Sequence, residues 1–186
     1  ADQSDAARLP STTIFLSYGP ATLTVGDTDS AFDARLTETA IGGAINDDHT
    51  VHPGYNGNSA LDEAYGGQEI RFDYKFDAFT GSVSVAPDRN ATDFDMSWSL
   101  GVSYNMDLAG LNLALGLGYQ QVDEAAFLYD RRIGVSAATK FDNGLQAIVN
   151  YTHWTDDSTG GADNGSHYAI GLGYTMNALT LGVNYG

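Results

Sequence analysis

The sequence predicts an all-β fold, specifically a transmembrane antiparallel β-barrel, and three observations predict it. Apolar and polar residues alternate with period two over most of the chain beyond residue 67. The alternating runs reach the ~9–11 residues that a tilted membrane strand needs, not the ~5–6 of an ordinary globular strand. Their connections are alternately short and long, as in barrels with tight turns at one rim and loops at the other.

The alternation is clearest over 93–104. Phe94, Met96, Trp98, Leu100, Val102 and Tyr104 fall on one face; Asp95, Ser97, Ser99, Gly101 and Ser103 fall on the other. Segment 111–120 repeats the pattern, with Leu111, Leu113, Leu115, Leu117 and Tyr119 opposed by Asn112, Ala114, Gly116, Gly118 and Gln120. In 167–176, Tyr168, Ile170, Leu172, Tyr174 and Met176 oppose Ala169, Gly171, Gly173 and Thr175. Such strict alternation marks an extended segment with one apolar and one polar face. The polar faces are rich in Gly, Ser and Ala, and glycines inside strands suit close backbone approach.

Ten strands follow, over 12–18, 21–27, 68–76, 79–86, 93–105, 110–121, 127–140, 145–154, 166–176 and 178–185. Short turns lie at 105–110, 141–144 and 176–178; longer polar connections lie at 86–92, 121–126 and 155–165. Asp142-Asn143-Gly144 is a strong tight-turn signal. Tyr104, Tyr119, Phe141, Tyr151, Trp154, Tyr174 and Tyr185 sit near strand ends, where aromatic girdles meet lipid headgroups. One long irregular segment, 28–66, separates the second and third strands. It is too long for a plain connection, which suggests a functional loop, and its stretch around Ala31–Ile45 is apolar enough for helical turns.

Composition fits one domain over 1–186 and excludes several functions. Cys is absent, which removes thiol catalysis, zinc–thiolate sites and disulfide scaffolds. No run approaches the ~18–20 apolar residues of a membrane helix, which says nothing against barrel strands. Ala1 opens into a polar stretch without a signal-like segment, so a mature or truncated chain is expected. The net charge of −16 makes nucleic acid a poor partner. His49, His52, His153 and His167 have no metal-ligand spacing, and no Ser occupies a Gly-x-Ser-x-Gly elbow, so no catalytic residue and no required cofactor is expected. Asn46-Asp47-Asp48 and Asp156-Asp157 offer hard oxygen ligands; Asp47 and Asp48 are candidate Ca²⁺ ligands, although neither pair has EF-hand spacing.

Thr13-Ile14-Phe15-Leu16-Ser17, then Ala21-Thr22-Leu23-Thr24-Val25-Gly26-Asp27, a long loop, and Ile70-Arg71-Phe72-Asp73-Tyr74 together resemble the general bacterial porins, most closely the alpha-proteobacterial, Rhodobacter-type group. The resemblance covers essentially the whole chain. It implies a general diffusion porin in the outer membrane of a Gram-negative bacterium, passing small hydrophilic solutes and ions. Lipid and lipopolysaccharide would surround it, and a homotrimer is implied. By position, 28–66 resembles the constriction loop that folds into the lumen. Family barrels have about sixteen strands and usually end in an aromatic, whereas ten strands are counted here and Gly186 is last. Mapped onto the family, the chain begins at the fourth strand and stops near the thirteenth, so a segment of a longer porin is expected rather than a complete ten-stranded barrel.

The charges then acquire candidate roles. With Ile70, Phe72, Tyr74 and Phe76 toward lipid, Glu69, Arg71, Asp73 and Lys75 face the lumen, because a charge at mid-bilayer costs ~2–4 kcal/mol. Arg132 and Lys140 share a face with Gly134 and Ser136, and Asp95 lies on the polar face of its strand. The loop offers Asp29, Asp33, Glu38, Asp47, Asp48, Asp62 and Glu63. Acids on the loop opposite a basic wall of Arg71, Lys75 and Arg132 would set a transverse field across the pore, with a cation preference from the excess of acid. Two other classes compete: a non-porin outer-membrane barrel serving as adhesin or enzyme, and a soluble all-β binding module. Bilayer conductance separates the first from the porin, and detergent dependence separates the second.

Overall fold

The computed structural model describes residues 12–42, 69–87, 96–122, 131–155 and 164–186. They form one ten-stranded antiparallel sheet in which each strand pairs with its sequence neighbours. The strands are β1 (Thr13–Tyr18), β2 (Ala21–Gly26), β3 (Glu69–Phe76), β4 (Phe79–Pro87), β5 (Met96–Leu108), β6 (Leu111–Gln121), β7 (Arg131–Phe141), β8 (Leu145–Thr155), β9 (Gly165–Met176) and β10 (Leu179–Tyr185). β1 and β10 are the two edges, and no pairing joins them among the described residues.

All ten predicted strands are present, with shifted ends. β5 runs to Leu108, so the turn expected over 105–110 contracts to Ala109-Gly110. The reason is the register: Asn105 through Leu108 continue to pair with Leu111 through Ala114. Residues 93–95 and 127–130, expected to begin two of the strands, lie outside the described residues. Short turns join β1 to β2, β3 to β4, β5 to β6, β7 to β8 and β9 to β10, all at one rim. Asp77 and Asn177 adopt positive φ there, a conformation that short Asp and Asn side chains tolerate better than most.

The burial pattern is inside out for a water-soluble protein. Leu23, Val25, Ile70, Phe72, Val83, Leu100, Val102, Leu115, Leu117, Ile133, Val135, Ile170 and Leu172 are exposed, all on one face. Ser82, Ser84, Ser97, Ser99, Gln120, Ser136, Asn150 and Thr152 are buried on the other. The only apolar cluster of buried side chains among the described residues is Phe32 with Leu36, and neither belongs to a strand. A contiguous apolar exterior this extensive needs an apolar surrounding medium.

Aromatics band the outer face at two levels. Trp98 packs on Tyr119 at 5.3 Å toward the long-connection rim, and Phe79 packs on Tyr104 at 4.5 Å toward the short-turn rim. Along β5, Trp98 and Tyr104 stand about 20 Å apart at the usual strand rise, close to the height of a barrel's apolar band. Trp154 corrects the expected girdle. It is the register partner of Arg132 and Gly165, on the inner face, and its ring occupies the space where a Gly165 side chain would sit.

Candidate functional site: the inner wall and its inserted loop

Leaving β2, the chain turns onto the inner face of the sheet. Ser30 caps a single helical turn, α1 (Ala31–Arg35), its hydroxyl accepting from the Asp33 amide at 3.3 Å. The chain then runs on through Gly42, crossing the wall from β4 to β10. The wall is shaped to receive it. A side chain at Gly101 would meet the Ala31 carbonyl oxygen at 2.1 Å, and one at Gly116 the Arg35 carbonyl oxygen at 2.3 Å. At Gly171 it would meet the Thr39 carbonyl oxygen, and at Gly173 and Gly182 it would meet Ile41. The expected close backbone approach of strand glycines is therefore made by the chain's own loop.

Polar groups of the loop backbone find wall side chains, as buried amides require. Ala31 N donates to Ser84 Oγ at 2.9 Å, Phe32 N to Ser99 Oγ at 3.1 Å and Thr37 N to Ser136 Oγ at 2.9 Å. Asn150 Nδ2 donates to the Thr37 carbonyl at 3.4 Å. Between its contacts at β4–β5 and at β9–β10 the loop spans about five strand spacings, ~24 Å. One helical turn followed by six extended residues supplies only ~27 Å. A segment of this length is enough to cross those strands.

Phe32 and Leu36, one helical turn apart, anchor it. Side chains at Gly118 or Gly134 would collide with both, so these glycines form their socket. Arg132 closes one side of that socket: its guanidinium carbon stands 4.7 Å from the Phe32 ring centroid, and its Nε donates to Gln120 Oε1 at 2.7 Å. Nη2 donates to the same oxygen.

Beside α1 lies an ionic cluster. Arg71 Nε donates to Asp73 Oδ2 at 3.1 Å, and Arg71 Nη1 donates to the Asp29 carbonyl at 2.7 Å while standing 3.8 Å from Asp29 Oδ2. Arg35 Nη2 reaches Asp73 Oδ1 at 3.8 Å, and Ser82 Oγ donates to that oxygen at 2.5 Å. Burial lowers the Arg35 pKa from its ordinary value; Asp73 pulls it back up, Arg71 lowers it further, and Asp29 raises it.

The predicted residues divide accordingly. Glu69, Arg71, Asp73 and Lys75 share the face that carries the loop, as expected from alternation, and Glu69 is buried there. Asp29 is open to solvent beside Arg71, and Asp33 and Glu38 lie on or just beyond α1. Asp47, Asp48, Asp62, Glu63 and Asp95 lie outside the described residues.

Among the described residues acids and bases are interleaved, since Arg35 belongs to the loop and Asp73 to the wall, and the two are paired. Arg132 is on the predicted face but only 1% exposed, with Phe32 and Gln120 lying against it; it does not present its charge at an open wall. Sequence reasoning did not single out Arg35, Ser84, Ser99 or Ser136, although all three serines occupy the polar phase of the alternation. Lys140 borders a polar recess of about 370 Å³ with Asn112, Asp142, Asn143 and Thr175, at the short-turn rim. No cluster of three or more metal-ligating side chains occurs among the described residues.

An apolar exterior, a polar interior and a loop laid along that interior have a counterpart among known proteins. The family model for Gram-negative porins matches residues 2–186. This chain belongs to the Gram-negative porin family. Membership places it in the outer membrane, with its strands as transmembrane strands. A solved Rhodobacter porin structure, refined at 1.8 Å resolution, superposes with a TM-score of 0.56 at 16% identity, covering 92% of this chain. The chain spans 63% of the length of that porin. The likeness concerns the fold alone. No curated protein matches the sequence at a significant level.

Proposed function

We propose that this porin passes small hydrophilic solutes and ions by passive diffusion, with the loop that begins at residue 28 narrowing the pathway. The observation that carries the reading is the seating of residues 30–42 across the inner faces of β4 to β10, on a wall of Gly and Ser. A loop spread along the inner wall narrows a water-filled lumen without filling it, whereas a barrel closed by packed side chains needs no such trough. No catalytic role is proposed. The resemblance to the alpha-proteobacterial group supports assembly as a homotrimer in lipid and lipopolysaccharide.

We assign a cation preference to the pore. Its support is the excess of acid in the whole chain, 24 Asp and Glu against 8 Lys and Arg, because the described cluster is itself balanced between two acids and two bases. The test is planar-bilayer recording of the purified protein across a salt gradient. Stepwise ohmic conductance with a cation-selective reversal potential is the expected result. Silence in the bilayer overturns the diffusion reading, and an anion-selective potential overturns the cation preference alone.

A further inference from the structure

We infer that Arg132 is a positioning residue: it fixes Phe32 and thereby holds α1 where Arg35 meets Asp73, so it sets selectivity from a distance instead of lining the pore. The inference deepens the diffusion reading and rests on it.

The argument starts from three side chains on one helical turn. Phe32 on α1 and Leu36, its C-cap residue, point to the same pair of wall glycines, and Arg35 projects from a different side of the turn. The first two enter the socket between Gly118 and Gly134, while the third reaches Asp73 on β3. A single rigid turn thus couples a socket on β6–β7 to an ion pair on β3. Together with the bonds of Ala31 and Phe32 to Ser84 and Ser99, the seat of Phe32 sets how far Arg35 reaches toward its partner.

Arg132 is suited to fix that position and unsuited to conduct. A guanidinium packs favourably over a ring face and offers a fixed fork of donors, two of which here reach one oxygen of Gln120. At 1% exposure it offers no surface to a passing ion. With the ring interposed, a mobile anion on the far side comes no nearer than about 8 Å, comparable to the Debye length in physiological salt. Arg35 and Asp73 keep 18% and 16% of their side-chain surface open, so they contribute to the local field beside Asp29 and Arg71.

A neutral substitution separates positioning from charge. A Cβ at Gly134 would stand 2.7 Å from Phe32 Cζ and 3.0 Å from Cε2, so Gly134→Ala must shift the ring without altering any charge. Displacement takes Arg35 off Asp73 into open solvent, where its charge is screened while Asp73 remains on the wall. Gly134→Ala is expected to raise the cation-to-anion permeability ratio about twofold, in the same direction as Arg35→Gln. Arg132→Met is expected to act alike. In an Arg35→Gln background neither substitution should shift the ratio further, because coupled residues fail to add.

Reversal potentials in a salt gradient read the wild type and the five variants, with heat-dependent gel mobility confirming a folded barrel. A ratio that stays at the wild-type value in Gly134→Ala overturns the inference, even where Arg132→Met does not fold. So does an Arg132→Met shift that persists undiminished beside Arg35→Gln, which would make Arg132 a direct pore charge. A wild-type protein that never conducts removes the diffusion reading itself, whereas a conducting wild type with unresponsive variants removes only the role of Arg132.

Discussion

Leu117 and Gly118 are neighbours on β6, and they obey different rules. Leu117 projects outward with half of its surface exposed, amid apolar side chains of β5 and β7. Gly118 faces inward, buried, where a Cβ would stand 2.7 Å from the ring of Phe32. The outer face is selected for polarity, because fluid hydrocarbon accepts many apolar shapes but no charge. The inner face is selected for shape, because a fixed segment of the same chain lies against it. Two adjacent residues therefore carry two kinds of constraint, and alternation interleaves them along every strand beneath the loop.

Substitutions at this pair put the contrast to the test. The largest effect is expected from Leu117→Arg, which places a charge in the apolar band at a cost of ~2–4 kcal/mol. Urea titration of the barrel reconstituted in lipid reads it, and a loss below about 1 kcal/mol would mean that β6 does not face hydrocarbon at this point. Next is Gly118→Ala. One added carbon drives against Phe32 and is expected to cost ~1–3 kcal/mol in the same titration, as overpacking usually does. A neutral result would mean that the loop does not bear on the wall there. The smallest effect is expected from Leu117→Phe. This adds several carbons on the lipid side and should leave stability within about 0.5 kcal/mol, because nothing fixed is there to be displaced. A small carbon harmful inside beside a larger ring harmless outside is the pattern that distinguishes shape from polarity.

The same contrast explains what was readable in advance. The apolar phase of Met96 to Tyr104, of Leu111 to Tyr119 and of Tyr168 to Met176 announced strands and their outward faces, because period two is a one-dimensional signal. The strand-end rule for aromatics failed at Trp154, where a headgroup girdle was expected although parity already placed the residue inward beside Gly165. The placement of Arg71 and Asp73 on the inner face was legible for the same reason that charges avoid hydrocarbon. Their bonding was not, since Arg35 lies 36 residues before Arg71 and is separated from it by residues of a long connection.

Arg132 shows the limit most clearly. Parity put it on the inner wall, and parity says nothing about what lies on top of it. Gly, Ser and Ala in the inward phase signalled that something approaches the wall closely, but many partners satisfy a glycine gap. Only the path of residues 30–42 identifies the partner as the loop.

By itself the sequence determined the strands, their faces and the tight rim, because each depends on neighbours within a few residues and on a uniform medium outside. The tertiary structure decided which glycine receives which loop atom, and which base pairs with which acid. Those contacts join positions far apart in the chain. They exist only once curvature and register bring the loop and the wall within van der Waals reach.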